Sequence, residues 1–372
     1  MEEYLKSNRR KWLKQISALG AASILTTPSF SNFGAYNKDI KTEFIKLSSN
    51  ENPYGPSKKA QQAILNNMGI TNRYPFDLTH DLEDQQTTKN GLDKGMVLLG
   101  AGSSELLQTL GHWIVSNALR LTYSTPTFEI LPNYVKRLKG QVDSVNMTSQ
   151  FEYDLEKLLV NSSRNPGVVY LVNPNNPTGT KIPKSELLAF LKEVTKHSYL
   201  ILDEAYIEYV SDSESLVTEI ELNPKLIVLR TFSKIYGLAG LRVGYLLGHP
   251  SLINELKDIS IWGSHSLNVE GIMAARVSLN DQQFIEESRS NNEEIKKTTI
   301  STLKEAGIIP YQSSTNFIFF PIPNNDDLRA ILALEKISIG QIKIKETNYA
   351  RVTIGTSHEM KILIKHISKI YT

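Results

Sequence analysis

The stretch Val168-Val169-Tyr170-Leu171-Val172-Asn173-Pro174-Asn175-Asn176-Pro177-Thr178-Gly179 decides the fold. Five apolar residues in a row, without alternation, read as a strand buried on both faces. The next seven comprise three asparagines, two prolines, a threonine and a glycine. They form a stiff turn that presents side-chain amides. Tyr199-Leu200-Ile201-Leu202 and Leu226-Ile227-Val228-Leu229 repeat the apolar run. A helix from about Ser185 to Lys196 lies between the first two runs. Upstream, Met96-Val97-Leu98-Leu99 reads as a further strand. It leads into a helix from Glu105 to Val115, with Leu106, Leu107, Leu110 and Ile114 at helical spacing. Strands and helices in alternation predict an α/β fold, a three-layer sandwich around a mainly parallel sheet.

From about residue 270 the pattern changes. A long charged helix from Gln282 to Ala306 precedes two strands, Phe317-Ile318-Phe319-Phe320 and Ala350-Arg351-Val352-Thr353-Ile354. That order predicts a smaller α+β domain. The expected division is an extension over 1–35, an arm over 36–70 packing with the small domain, a large domain over 71–265 and a small one over 266–372. A length of 372 residues suits two domains. The 41 basic residues nearly cancel 39 acidic ones, which argues against a chain-wide nucleic-acid surface. With no cysteine, thiolate catalysis and Cys-ligated metals are excluded.

In parallel sheets, ligands bind outside the carboxyl ends of the strands. The first strand ends in Gly100-Ala101-Gly102-Ser103-Ser104, where small residues and a helix N-terminus suit an anion and the serines are expected to cap. Alone, this reads first as a capped helix without ligand. The third strand runs into Asp203-Glu204-Ala205-Tyr206, a carboxylate at the sheet edge that calls for a cationic partner. After the fourth comes Arg230-Thr231-Phe232-Ser233-Lys234-Ile235-Tyr236-Gly237-Leu238-Ala239-Gly240-Leu241-Arg242. A strand-end lysine can become a neutral amine, the form that Schiff-base chemistry requires.

Together these motifs resemble the fold-type I pyridoxal-phosphate aminotransferases of class I/II, and within them the histidinol-phosphate aminotransferases. Leu47-Ser48-Ser49-Asn50-Glu51-Asn52-Pro53-Tyr54-Gly55-Pro56-Ser57 and Arg73-Tyr74-Pro75 add to the resemblance, which runs from about residue 40 to 360. It implies a pyridoxal 5'-phosphate cofactor joined to Lys234, which also moves the α-proton. Asp203 would pair with the pyridine nitrogen, while Asn176 and Tyr206 would reach the ring's 3-oxygen. Gly102, Ser103, Ser104, Thr231, Ser233 and Arg242 would hold the phosphate. Phe128 would stack on the ring, although core packing explains it as well. Tyr74 would reach the site of a neighbouring copy, which implies a homodimer. Asn50 would lie in the substrate pocket, and Arg351 would take the substrate α-carboxylate. The substrates implied are an amino acid, or a histidinol-phosphate-like amine, and a 2-oxo acid; no metal is implied.

The chain departs from that subfamily at Ile337 to Lys345, where a second arginine is usual. Gly340 or Gln341 stands there instead, with Lys343 and Lys345 nearby. Lysine lacks the bidentate fork, so the departure weighs against a phosphorylated substrate. The competing readings are another reaction on the same scaffold (decarboxylation of an amino-acid phosphate, or β-elimination) and an exported binder without transaminase activity. A nucleotide-binding loop at 100–104 is excluded, since no Gly-Lys-Ser/Thr follows.

The N-terminus carries Arg9-Arg10-Lys11-Trp12-Leu13-Lys14, a short apolar run from Ile16 to Leu25, and the breaker Thr26-Thr27-Pro28-Ser29. The run is too short to span a membrane, which takes roughly 20 apolar residues. The order resembles a twin-arginine export signal, so a periplasmic location is expected; an amphipathic helix is the alternative. Replacing both Arg9 and Arg10 by Lys should move the protein from the periplasmic to the cytosolic fraction. Wholly cytosolic wild-type protein would refute export.

Overall fold

The computed structural model describes residues 44–371. The expected export signal lies outside them. The strands in chain order are β1 (Ile45–Leu47), β2 (Val97–Gly100), β3 (Arg120–Thr125), β4 (Val142–Asn146), β5 (Gly167–Val172) and β6 (Tyr199–Asp203). They continue with β7 (Leu226–Thr231), β8 (Gly244–Gly248), β9 (Phe317–Pro321), β10 (Ile337–Ile344) and β11 (Thr347–Thr353). Seven of them form one sheet in the order β2-β8-β7-β6-β5-β3-β4. All its neighbours pair parallel except β8, which runs antiparallel to both β2 and β7.

The unbroken apolar runs have a direct cause. Val169, Leu171, Leu200, Leu202 and Val228 pack into one core cluster. Their chain neighbours Val168, Tyr170, Val172, Ile201, Ile227 and Leu229 pack into a second. Side chains alternate across a strand, so two cores on opposite faces leave no polar position between them. β8 was not expected. Its sequence, Gly-Tyr-Leu-Leu-Gly, is short and follows the lysine loop without a helix. β3 and β4 carry polar residues and escape the apolar-run signal for the same reason.

The second sheet has four strands in the order β1-β10-β11-β9. β1 lies parallel to β10, and the other pairs are antiparallel. Helices Gln282–Glu305 and Ser357–Tyr371 cover it over a core that includes Leu47, Leu303, Ile318, Phe320, Val352 and Leu363. Thus the segment just before Ser48 is bound into a sheet built from residues some 290 positions later.

Register brings the chemistry together. Val172 pairs with Asp203 across β5 and β6. Gly244 pairs with both Gly100 and Thr231, so the ends of β2 and β7 meet through the start of β8. A Cβ at Gly244 would lie 2.5 Å from the Ser103 backbone nitrogen, so glycine there lets the lysine loop and the helix N-terminus touch. Behind the site, Arg230 Nε donates to Glu204 Oε2 at 3.0 Å, and both residues are buried. The Ser215 hydroxyl and the Leu216 N–H also donate to that carboxylate, so the buried charge is fully accommodated. Among the described residues, no helix is long and apolar enough to cross a membrane.

Candidate active site

A cavity of about 330 Å³ opens at the carboxyl ends of these strands. Its walls gather Ser103, Ser104, Phe128, Asn176, Asp203, Tyr206, Thr231, Ser233, Lys234 and Arg242, residues the sequence singled out from five separate segments. Val172 and Ala205 supply apolar wall.

Asp203 ends β6 and is 1% exposed. The Tyr170 phenol donates to its Oδ2 at 3.0 Å, and the Ala205 N–H donates to its Oδ1 at 3.1 Å. Burial pushes the carboxyl up to about 6, against those two donors and the Lys234 charge. A cationic ring nitrogen beside it would restore the favourable state of the carboxylate.

Lys234 lines the same cavity. Its Nζ donates to the Ser49 carbonyl at 3.2 Å and lies 5.6 Å from the Tyr206 ring centre. Burial brings the amine down to about 8, helped by the Arg351 charge and opposed by Glu51 and Asp203. A neutral, nucleophilic amine is therefore accessible near physiological pH. The Tyr206 phenol is buried and raised to about 12, chiefly by burial, so it keeps its proton at neutral pH.

The anion end is built by the helix Ser103–Ser116 and the loop after β7. Its N-cap is Gly102, with no side-chain cap; Ser103 and Ser104 are the first helical residues rather than caps. With no side chain capping it, the helix start keeps its first N–H groups open toward the cavity that both serines line, while the Glu105 carboxylate takes the Ala101 N–H just ahead of the cap. A Cβ at Gly102 would lie 2.3 Å from Arg242 Nη2. Glycine is what lets the guanidinium lie against this helix start. Arg242 itself has φ 53, a left-handed conformation, and its Nη1 donates to the Ala239 carbonyl at 3.1 Å. Thr231 Oγ1 donates to Ser233 Oγ at 3.0 Å, which fixes those hydroxyls side by side. Hydroxyls, a helix N-terminus and one guanidinium form a cradle suited to a phosphate.

Three placements differ from expectation. Asn50 is 1% exposed and lines neither cavity; it reaches the site through its amide, which donates to the Tyr206 hydroxyl at 2.8 Å. Its neighbours Ser49 and Glu51 line the cavity instead. Tyr74 is 73% exposed and stacks on Phe76 and Trp262, outside its own chain's cavity. Arg351 belongs to a second, adjoining cavity of about 540 Å³, which shares Phe128 and Asn176 with the first. There Arg351 Nη1 donates to Asn176 Oδ1 at 2.7 Å and Nη2 to the Ser48 carbonyl at 2.6 Å. Tyr170 was missed as a site residue, since inside an apolar run it reads as core.

The model of the family described as aminotransferase class I and II matches residues 42–367. The chain belongs to this family. The histidinol-phosphate aminotransferase of Brevibacillus brevis is 33% identical to it, over 90% of this chain and 93% of that protein. The structure of a putative histidinol-phosphate aminotransferase from Erwinia carotovora atroseptica superposes with a TM-score of 0.83 at 30% identity, covering 88% of this chain and 96% of that one. The Sinorhizobium meliloti histidinol-phosphate aminotransferase, solved in complex with pyridoxal-5'-phosphate, gives 0.81 at 26% identity, covering 88% and 90%. This chain is thus an aminotransferase of fold type I, and the cofactor of its family is pyridoxal phosphate. The residues present fit that group: a phosphate cradle, an apolar wall, a buried carboxylate and a depressed lysine surround one cavity.

The Lys234 environment makes a measurable claim. The rate at which cofactor-free protein captures an added aldehyde should rise with pH around a midpoint near 8. Arg351→Gln removes a nearby positive charge and should move that midpoint upward, toward the ordinary lysine range. A midpoint that stays put in the variant would show that Arg351 does not act on the amine.

Proposed function

We propose that this aminotransferase takes an α-amino acid as donor and a 2-oxo acid as acceptor, with Arg351 holding the α-carboxylate. The observation that carries this reading is the Arg351 guanidinium. Two of its nitrogens are anchored by Asn176 and Ser48, while its buried Nε lacks a hydrogen-bond partner. A buried guanidinium with an unmet donor calls for an acceptor, and a carboxylate supplies one with charge.

When bound, pyridoxal phosphate supplies an aldehyde for the amino group and a ring that accepts the electron pair released at the donor's α-carbon. The protein's part is binding, orientation and proton handling. Ser103, Ser104, Thr231, Ser233 and Arg242 hold the phosphate end. Asp203 presents a carboxylate to the ring nitrogen and favours its protonated form. Phe128 and Val172 exclude water from the apolar wall. Lys234, freed as a neutral amine, takes the α-proton and returns it. Tyr206, still protonated, places its ring 5.6 Å from the same amine and keeps its hydroxyl held by the Asn50 amide.

The donor side chain is placed in the second cavity, lined by Phe128, Ile342 and Ile344 with Lys343 and Lys345 at its exposed rim. Gly340 pairs with Arg351 across β10 and β11. No arginine stands there, which supports an unphosphorylated donor over a histidinol-phosphate-like one.

A homodimer fits the exposed aromatic surface. Tyr74, Phe76, Ile261 and Trp262 are all more than 40% exposed, and the three rings stack in sequence. A contiguous apolar patch of this kind marks an interaction face.

Two outcomes are expected. In a donor screen, an α-amino acid should convert the visible band of the cofactor-bound protein to that of the amine form, and a 2-oxo acid should restore it. Lys234→Ala should lower the rate of conversion by at least about a hundredfold. No conversion with any amino acid would sink the reading. Ile261→Glu with Trp262→Glu should halve the mass seen by light scattering; a wild type already monomeric would exclude the dimer.

A further inference from the structure

We infer that Asn316 is a positioning residue for the reaction, acting through the arm strip 48–51; the inference rests on the aminotransferase reading just given. Four consecutive carbonyls of that strip are held by side chains. Ser48 O accepts from Arg351 Nη2 at 2.6 Å, and Ser49 O accepts from Lys234 Nζ at 3.2 Å. Asn50 O and Glu51 O both accept from Asn316 Nδ2, at 3.0 and 3.3 Å. One end of the strip therefore touches Arg351 and Lys234, and a single amide tethers the other end. Asn316 is 1% exposed and lines neither cavity, so it acts only through what it holds.

The tether is itself anchored. Lys296, 3% exposed on the helix Gln282–Glu305, donates to the carbonyls of Ser313 at 2.9 Å and Thr315 at 3.1 Å. Asn292, from the same helix, donates to Thr315 O at 3.2 Å. The Asn316 carbonyl takes the Ile354 N–H at 2.8 Å, and the Ser314 N–H donates to Gly179 O at 2.8 Å. The Glu293 carboxylate, 2.8 Å from the same ammonium, balances its charge, and the two carbonyls take its other protons, so the segment is tied to the helix at both Ser313 and Thr315. It links the asparagine turn after β5, the end of β11 and the arm.

What the tether protects is a strained residue. Asn50 has φ 56. Asparagine reaches this left-handed region more readily than most residues, but it needs holding there. Thr353 Oγ1 accepts the Asn50 N–H at 2.9 Å and lies 3.2 Å from Asn50 Oδ1, while Asn316 holds its carbonyl. That conformation aims the Asn50 amide at the Tyr206 hydroxyl and leaves Ser48 O against Arg351. Releasing the carbonyls of Asn50 and Glu51 lets the strip turn, and small misplacements at a reacting centre cost rate and binding together.

The test compares the wild type with Asn316→Ala and Asn316→Asp, each loaded with pyridoxal phosphate. Asn316→Ala should raise KM for the amino donor about tenfold, with a smaller fall in kcat. In Asn316→Asp the introduced carboxylate faces two carbonyls without a proton to donate, so KM should be raised at neutral pH. It should recover toward the wild-type value as pH falls and the carboxyl gains a donor proton. Tyr209 faces the Asn316 side chain and Lys296 holds its segment, and wild type measured over the same pH range corrects for these and for Asp203, Lys234, Tyr206, Arg351 and Glu51. A lower melting temperature with KM unmoved, or a deficit in Asn316→Asp that ignores pH, would overturn the inference. Should Asn316→Ala fail to fold, Asn316→Ser gives the same split. A wild type inactive with every donor fails the aminotransferase reading instead, so the two failures are distinct.

Discussion

A carboxylate taken out of water at the end of a buried strand sets the terms for the rest of this molecule. Asp203 has core packing on both faces of β6, so its charge is costly until something compensates for it. The Tyr170 phenol and the Ala205 N–H supply part of that compensation. The Lys234 charge adds a little more, yet the carboxyl stays raised to about 6, and a cationic ring bound beside it would supply what is still missing. The arrangement depends on the sheet register: Val172 pairs with Asp203 and Asp203 with Leu229, just before β7 ends at Thr231, so the loops that follow share one cavity.

The same low-polarity setting acts in the opposite sense on the lysine. Burial penalises the ammonium as it penalises the carboxylate, and Arg351 adds to the penalty. One environment thus raises an acid and lowers a base, which is how a single site holds both groups near their working protonation states. The peptide backbone does part of the work. Ser48 and Ser49 offer carbonyls to the two cations without adding a counter-charge that would restore the ammonium.

Much of this was legible in the residues, for identifiable reasons. β5, β6 and β7 announced themselves because two cores leave them no polar position. Lys234, Asp203 and Asn176 stood out because each follows such a strand. The antiparallel β8 was hidden, since it is short and lies directly after the lysine loop. The serines at 103 and 104 read as caps, because nothing local shows that Gly102 takes the N-cap position and the helix already begins at Ser103. Asn50 was assigned to the substrate pocket; its amide is instead spent on a phenol from a loop 156 residues away.

The sequence by itself determined the fold class, the family and the candidate for the reactive lysine, because strand patterning and strand-end motifs are local properties of a few consecutive residues. Only the tertiary structure decided which groups touch. That Arg351 leans on Ser48 O, that Lys234 rests on Ser49 O and that Asn316 tethers the same strip depend on distances between residues far apart in the chain. Backbone carbonyls are identical in every residue, so no side-chain pattern marks which of them will be used. Their selection follows from β1 joining a sheet built mostly from the other end of the chain.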